Sequence, residues 1–158
     1  LHFLFGYVDD KNRSQNAIKG RLSVEEIVLP DFSSEIQTRI KIDRFTAGTI
    51  ETALFDSMPL FRKHKNQENI KNFRISIQDY KPHEAGLILL VLKDIWTGDI
   101  AIGGEKNVGR GVFQGISAEI KWEDKTVRLF EKQGALAVEP DERKENLNQF
   151  VEKLVEYK

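Results

Sequence analysis

The stretch Gly98-Asp-Ile-Ala-Ile-Gly-Gly-Glu-Lys-Asn-Val-Gly-Arg-Gly-Val-Phe-Gln-Gly115 holds six of the chain's eleven glycines. The segment before it reads as a helix and the segment after it as a strand, so the run joins the two kinds of element. Glycine lets the backbone take φ > 0 and lets a ligand approach the main chain closely. Here the glycines frame two cations, Lys106 and Arg110. Main-chain N–H groups beside fixed positive charge make a cradle for phosphate or another anion. The competing reading is a tight connection whose glycines serve only to turn the chain.

Upstream, Pro82 opens a helix over roughly 83–96, because proline is tolerated in a first helical turn. Leu87, Leu89, Leu90, Val91 and Leu92 make most of its circumference apolar, which predicts a deep position. Downstream, 112–122 and 126–130 flank Glu-Asp-Lys as a hairpin. The segment 141–157 is the clearest amphipathic helix, with Leu147, Phe150, Val151, Leu154 and Val155 at i, i+3, i+4, i+7 and i+8.

Toward the N-terminus, 9–20 is rich in turn formers and reads as a loop, and 21–29 as a short strand closed by Pro30-Asp31. Ile36, Thr38, Ile40 and Ile42 alternate with Gln37, Arg39, Lys41 and Asp43, the period of a half-buried strand with Arg39 and Lys41 on its exposed side. Over 46–60 the pattern weakens around Gly48 and Met58-Pro59, which predicts irregular structure or a protruding hairpin. The segment 62–72 is locally basic, with Arg62, Lys63, Lys65 and Lys71 against Glu68. Phe73, Ile75 and Ile77 mark a further strand. Strands interleaved with two helices through hairpin-like links predict an α+β domain, with a ferredoxin-like or RNA-recognition-motif-like sheet.

At 158 residues, 40% hydrophobic and 31% charged, the chain has the size and composition of one globular domain. A net charge of −1 argues against indiscriminate electrostatic binding to nucleic acid, while leaving room for a local basic groove. The absence of cysteine excludes disulfides and thiolate metal sites and fits a reducing compartment. The longest apolar run, 86–92, is too short to span a bilayer. The start, Leu-His-Phe-Leu-Phe-Gly, has neither a charged leader region nor an initiating Met, so the chain is expected to be trimmed or part of something longer. Leu1, Phe3, Leu4 and Phe5 are expected to be covered by an absent segment or a neighbouring chain.

Hydrolytic chemistry finds little support. His2, His64 and His83 lie far apart, no serine sits in a Gly-x-Ser-x-Gly setting, and Asp9-Asp10 reads first as a solvated turn. Gly104 and Gly109 have the outer spacing of a P-loop, but Arg110-Gly111 stands where Lys-Ser/Thr is required. Gly109-x-Gly111 is followed by Gln114 where a dinucleotide fingerprint needs glycine. What remains is a polyanion surface, one track formed by Lys106, Arg110, Arg39, Lys41 and the basic 62–71 patch. Phe45, Phe61 and Phe113 are candidates to stack on bases.

Three motifs in order resemble one family. They are Leu4-Phe-Gly6 with Gly20-Arg-Leu-Ser23, then Arg39-Ile-Lys-Ile-Asp-Arg-Phe-Thr-Ala-Gly48 with Ala53-Leu-Phe55 and Met58-Pro59, then Ile102-Gly-Gly-Glu-Lys-Asn-Val-Gly-Arg-Gly111 behind a Leu-rich helix. Spanning about 4 to 115, they resemble the RAMP superfamily of CRISPR-associated proteins, above all the backbone subunits of type III effector complexes. The resemblance implies a modified RNA-recognition-motif fold that polymerises along a CRISPR RNA beside other RAMP subunits and meets target RNA. It implies a cytoplasmic particle without a membrane partner. A thumb-like hairpin over 43–60 would wedge between guide nucleotides. The glycine loop would lie close to RNA phosphates, which carries a binding role onto Gly103, Gly104, Lys106, Gly109, Arg110 and Gly111, with Arg39 and Arg44 as further backbone contacts.

Members of that family usually carry a section ahead of the Leu-Phe-Gly element, with the first strand and, in cleaving subunits, an aspartate that supports metal-dependent cutting. This chain starts just before Leu4, so a domain partial at its N-terminus is expected, with no catalytic residue assigned and no cofactor in this segment. The rival expectation is a metal-dependent ribonuclease, acting on target or precursor RNA through Asp9, Asp10 or Asp43 with a divalent ion.

Overall fold

A computed structural model describes residues 2–8, 17–29, 32–62, 70–132 and 135–157. The architecture is mixed α+β, built from small antiparallel sheets, and the chain divides into two units, Leu1–Ser76 and Ile77–Lys158.

The first unit runs α1 (His2–Phe5), β1 (Gly6–Val8), β2 (Ala17–Lys19), β3 (Leu22–Val24), β4 (Phe32–Ser34), β5 (Gln37–Ile42), β6 (Thr49–Ser57) and β7 (Leu60–Arg62), with β8 (Ile75–Ile77) at its boundary. Its strands pair two by two: β1 with β2, β3 with β8, β4 with β7 and β5 with β6. The longest pair is the β5–β6 hairpin, registered through Thr38↔Asp56, Arg39↔Phe55, Ile40↔Leu54 and Ile42↔Thr49. An irregularity between Ile40 and Ile42 puts the extra residues on β6, where Thr52 takes φ 61°. Such a bulge bends a ribbon and sharpens its twist.

The alternation over 36–42 does form a strand, but its apolar side is not half-buried. Ile36, Ile40 and Ile42 are exposed, while Gln37 and Arg39 are the half-buried members. Ile40 faces Leu54 across the ribbon and both stay in solvent, because two strands alone supply no second layer to cover them. The loop expected over 9–20 contains β2, and the strand expected over 21–29 is confined to β3. Leu4 of the apolar start is buried, whereas Phe5 is exposed.

The second unit has α2 (Pro82–Thr97), β9 (Ser117–Trp122), β10 (Lys125–Lys132), β11 (Ala135–Glu139) and α3 (Lys144–Glu156), the last entered through a 3-10 turn at Asp141–Arg143. The sheet order is β11-β10-β9, antiparallel throughout. Period-2 alternation sends Ala118, Ile120 and Trp122 to the same face as Val127 and Leu129, following the pairs Val127↔Ile120 and Leu129↔Ala118. Trp122, Val127 and Leu129 join Leu147 of α3 as the buried core, with Leu89, Leu92 and Trp96 of α2 packed against it. Phe150 meets Trp122 and Tyr80 edge-on, with ring centroids 5.8 and 6.0 Å apart.

Gly86 lets α2 and α3 touch. A Cβ there would lie 2.1 Å from the Phe150 carbonyl oxygen, so any side chain forces the helices apart. The α2 N-terminus is tied by the Lys81 N–H donating to the buried Glu84 carboxylate at 2.8 Å. Most of the leucine-rich face of α2 is half-buried rather than deep, with Ile95 its buried large apolar residue. On the other face of the sheet, Glu119, Arg128 and Glu139 stand directly opposite one another across three strands, and Lys121 reaches Glu119 at 2.7 Å. That face is charged, with half-buried Phe130 as its aromatic residue. The hairpin at Glu-Asp-Lys is present as β9 and β10, but of the strand expected over 112–122 only 117–122 forms, and β11 carried no alternation strong enough to predict it.

Candidate functional site

The Gly98–Gly115 run begins where α2 ends. Gly98 takes φ 79° as the helix C-cap and its N–H donates to the Ile95 carbonyl at 3.2 Å. Three bonds then fix the base of the loop: Ile100 N–H to Asp94 O at 3.1 Å, Ile102 N–H to Gly111 O at 2.9 Å, and Gly115 N–H to Trp96 O at 3.1 Å. Inside it, Lys106–Val108 make a single 3-10 turn, closed by Val108 to Glu105 O and Gly109 to Lys106 O. The loop is therefore pinned at its neck and folded at its tip.

Its glycines fall into two groups. A Cβ on Gly111 would lie 1.9 Å from the Ile102 carbonyl oxygen, and one on Gly115 would lie 2.0 Å from the Trp96 ring. Those two are required by close packing. Around Gly103, Gly104 and Gly109, by contrast, a Cβ would meet nothing within 4 Å. Gly103 and Gly109 do take positive φ, but Gly104 needs neither the space nor the conformation. Among the described residues, the Gly103 and Gly104 N–H groups donate no hydrogen bond. A bare, donor-rich stretch of backbone faces solvent there.

The two cations of the loop differ. Lys106 is exposed and borders a hollow of about 410 Å³ shared with Asp99, Ile100 and Val112. Arg110 is half-buried, and its guanidinium donates to the Glu105 carboxylate, each side chain keeping 25% of its surface. Glu105 itself holds φ 55°, a left-handed conformation uncommon outside glycine. Sequence reasoning passed over Glu105, since a carboxylate next to Gly104 says nothing about Arg110 until the 106–108 turn brings them together.

Arg39 and Arg44 stand apart from the loop in sequence and belong to the hairpin of the first unit. Arg39 donates to Gln37 Oε1 at 3.0 Å, and Arg44 is exposed at the tip. The tip is organised by Asp43, whose Oδ1 accepts from Phe45 N–H at 2.8 Å, Thr46 N–H at 2.9 Å and Thr46 Oγ1 at 3.2 Å. These bonds, first those from the Thr46 and Phe45 backbone, hold the Asp43 carboxyl below its ordinary range. The adjoining Phe45 is 99% exposed. An aromatic ring is thus presented to solvent on an ordered turn beside Arg44. Phe113 is also exposed, whereas Phe61 is half-buried.

In the basic 62–72 segment, Lys71 Nζ lies 5.9 Å from the Phe32 ring centroid. Lys63, His64, Lys65 and Glu68 lie outside the described residues, as do Asp9 and Asp10. His83 stacks on Tyr157 with centroids 3.8 Å apart. Among the described residues, no group of three or more His, Asp or Glu is placed to hold a metal ion, and Asp43 Oδ1 is taken up by its own turn. No helix among them is long and apolar enough to cross a membrane. Comparison with family models, with curated proteins and with solved structures found no match for this chain.

Proposed function

We propose that this chain is a RAMP-type, ferredoxin-like RNA-binding subunit of a type III CRISPR ribonucleoprotein, holding the CRISPR RNA guide through its phosphates. The resemblance of the three motifs supports the family, and the loop supports the chemistry. The observation that carries the reading is Gly104: bare of side chain where neither packing nor φ demands it. A phosphodiester oxygen accepts from the N–H groups of Gly103 and Gly104, while Lys106 supplies an exposed charge. Gly109, Arg110 and Gly111 complete the rim. None of these donors reads a base edge, as a scaffold for guides of any sequence requires. The charged outer face of the β11-β10-β9 sheet is a poor stacking platform, which leaves phosphate contact as the main term.

The β5–β6 hairpin supports the same reading as the thumb. Phe45 on its stiffened tip is the ring that enters between nucleotides, and Arg44 and Arg39 follow the backbone. The partners are guide RNA, target RNA and neighbouring RAMP subunits in the cytoplasm. The ribonuclease alternative finds no group of three or more His, Asp or Glu placed to hold a metal ion among the described residues.

The test is RNA affinity across a salt series, using oligoribonucleotides of unrelated sequence. Lys106→Ala should weaken binding to all of them alike and lower the logarithmic salt slope by about 0.7. Gly104→Val should leave the melting temperature unchanged and still weaken binding. Retained affinity in both variants sinks the loop as the contact, and loss for one sequence alone sinks the scaffold role.

A further inference from the structure

Glu105 occupies a costly place in the loop. At φ 55° it is the one non-glycine among the left-handed residues of the 98–115 run, where Gly98, Gly103, Gly109 and Gly111 take the others. A non-glycine residue in that region is strained by about 1 kcal/mol or more and persists only where something holds it. Its carboxylate meets the Arg110 guanidinium, a contact that helps to hold it there. A carboxylate on a guanidinium uses the same planar fork of donors that a phosphate uses. The anion that Arg110 grips in the isolated chain is therefore the chain's own.

We infer that Glu105 is a built-in competitor for phosphate at Arg110, so that the loop closes fully on an RNA strand only when the phosphodiester displaces this carboxylate. The inference rests on the reading of the loop as an RNA-phosphate site and sets the affinity of that site. The Gly103 and Gly104 N–H groups and Lys106 are outside the Glu105–Arg110 pair, so a strand makes first contact there. Arg110 is added by exchange of one anion for another. Because only a fraction of the molecules offer Arg110, apparent affinity falls by that fraction. A lone phosphate with a single contact has little to set against the exchange. A strand with successive phosphates spreads it over several contacts.

The experiment measures affinity for a mixed-sequence oligoribonucleotide, with salt dependence, for the full chain and for Glu105→Gln, Arg110→Ala, the double variant and Lys106→Ala. Glu105→Gln keeps the length of the side chain but removes the charge. It should tighten binding about threefold to tenfold and steepen the logarithmic salt slope by about 0.7, the share of one added cation. The gain should vanish when Arg110 is also replaced, which ties it to that pair. Glu105→Gly, which relieves the left-handed strain, should tighten binding likewise and raise the melting temperature. If Lys106→Ala weakens binding while Glu105→Gln leaves it unchanged or weaker, the site stands and the competitor is overturned: Glu105 then orients Arg110 or does nothing. If neither the unaltered chain nor any variant binds RNA, the site itself falls, and the inference with it.

Discussion

The two units use apolar side chains in opposite ways. In the second, Trp122, Val127, Leu129 and Leu147 are drawn into one core between a three-stranded sheet and two helices, and Val127 keeps none of its surface. In the first, the longest hairpin holds Ile40, Ile42, Leu54 and Phe45 out in solvent, on a two-stranded ribbon ordered by backbone pairing, by the cross-strand hydrogen bond from the Thr38 hydroxyl to Asp56, and by Asp43 at the tip. Packing fixes the second unit. Hydrogen bonding fixes the hairpin. The same residue type therefore means different things in the two places: stability where it is covered, and available contact surface where it is not.

The sharpest way to break this contrast is Gly86→Ala. With a Cβ forced to 2.1 Å from the Phe150 carbonyl, the helix pair must separate, and the second unit should lose about 3 kcal/mol or more in denaturant unfolding. An unaltered unfolding curve would mean that the helices are not packed this closely. A paired truncation comes next. Leu147→Ala should cost about 2–4 kcal/mol, whereas Leu54→Ala, also a leucine, should stay within about 0.5 kcal/mol. Equal losses at both sites would show that the hairpin's apolar face is covered after all.

The smallest effects come from pH, and they run in opposite directions. The Asp43 carboxyl lies below its ordinary range in the fold because the Thr46 and Phe45 N–H groups bind its charged form. Its contribution is present above the unfolded-state value and is lost as pH falls through the lower folded value. Burial raises the Tyr80 hydroxyl above its ordinary value of 10.0, with the Glu123 charge adding to the shift. Its contribution is present below that ordinary value and is lost as pH rises through the raised one. Amide exchange should accordingly show the 43–48 turn opening first in acid and the surroundings of Tyr80 loosening first in alkali. The reverse order would contradict the assignment of the two supports.

How much of this could be read from the sequence follows from the same contrast. α2 was legible from Pro82 and its run of leucines. The last helix was legible because a 3.6-residue period survives where a single face packs, as Leu147, Phe150, Val151 and Leu154 do, although Val155 at the end of that pattern stays exposed. The hairpin at Glu-Asp-Lys was legible for the matching reason in strands. The 36–42 alternation misled only about burial, since period 2 reports a two-faced strand and cannot say whether a second layer exists. β11, with Ala-Leu-Ala-Val-Glu, has too few residues and too weak an alternation to stand out, and it owes its strand to pairing with β10. At the loop, the glycines and both cations were visible at once. Their sorting into packed and bare positions was not, because composition carries no distances. The Glu105–Arg110 contact was hidden for the same reason, as it exists only once the 106–108 turn is made.

Gly111 and Gly115 are fixed from within, by an oxygen and an indole ring that leave no room for a side chain. Gly104 is fixed by nothing among the described residues. Under random mutagenesis the two kinds of position should part company. Screens for soluble protein will punish changes at 111 and 115 while letting 104 drift to any small residue. If a screen for biological activity then restores glycine at 104, the restraint is external, and the set of residues tolerated there becomes an imprint of whatever rests against the loop.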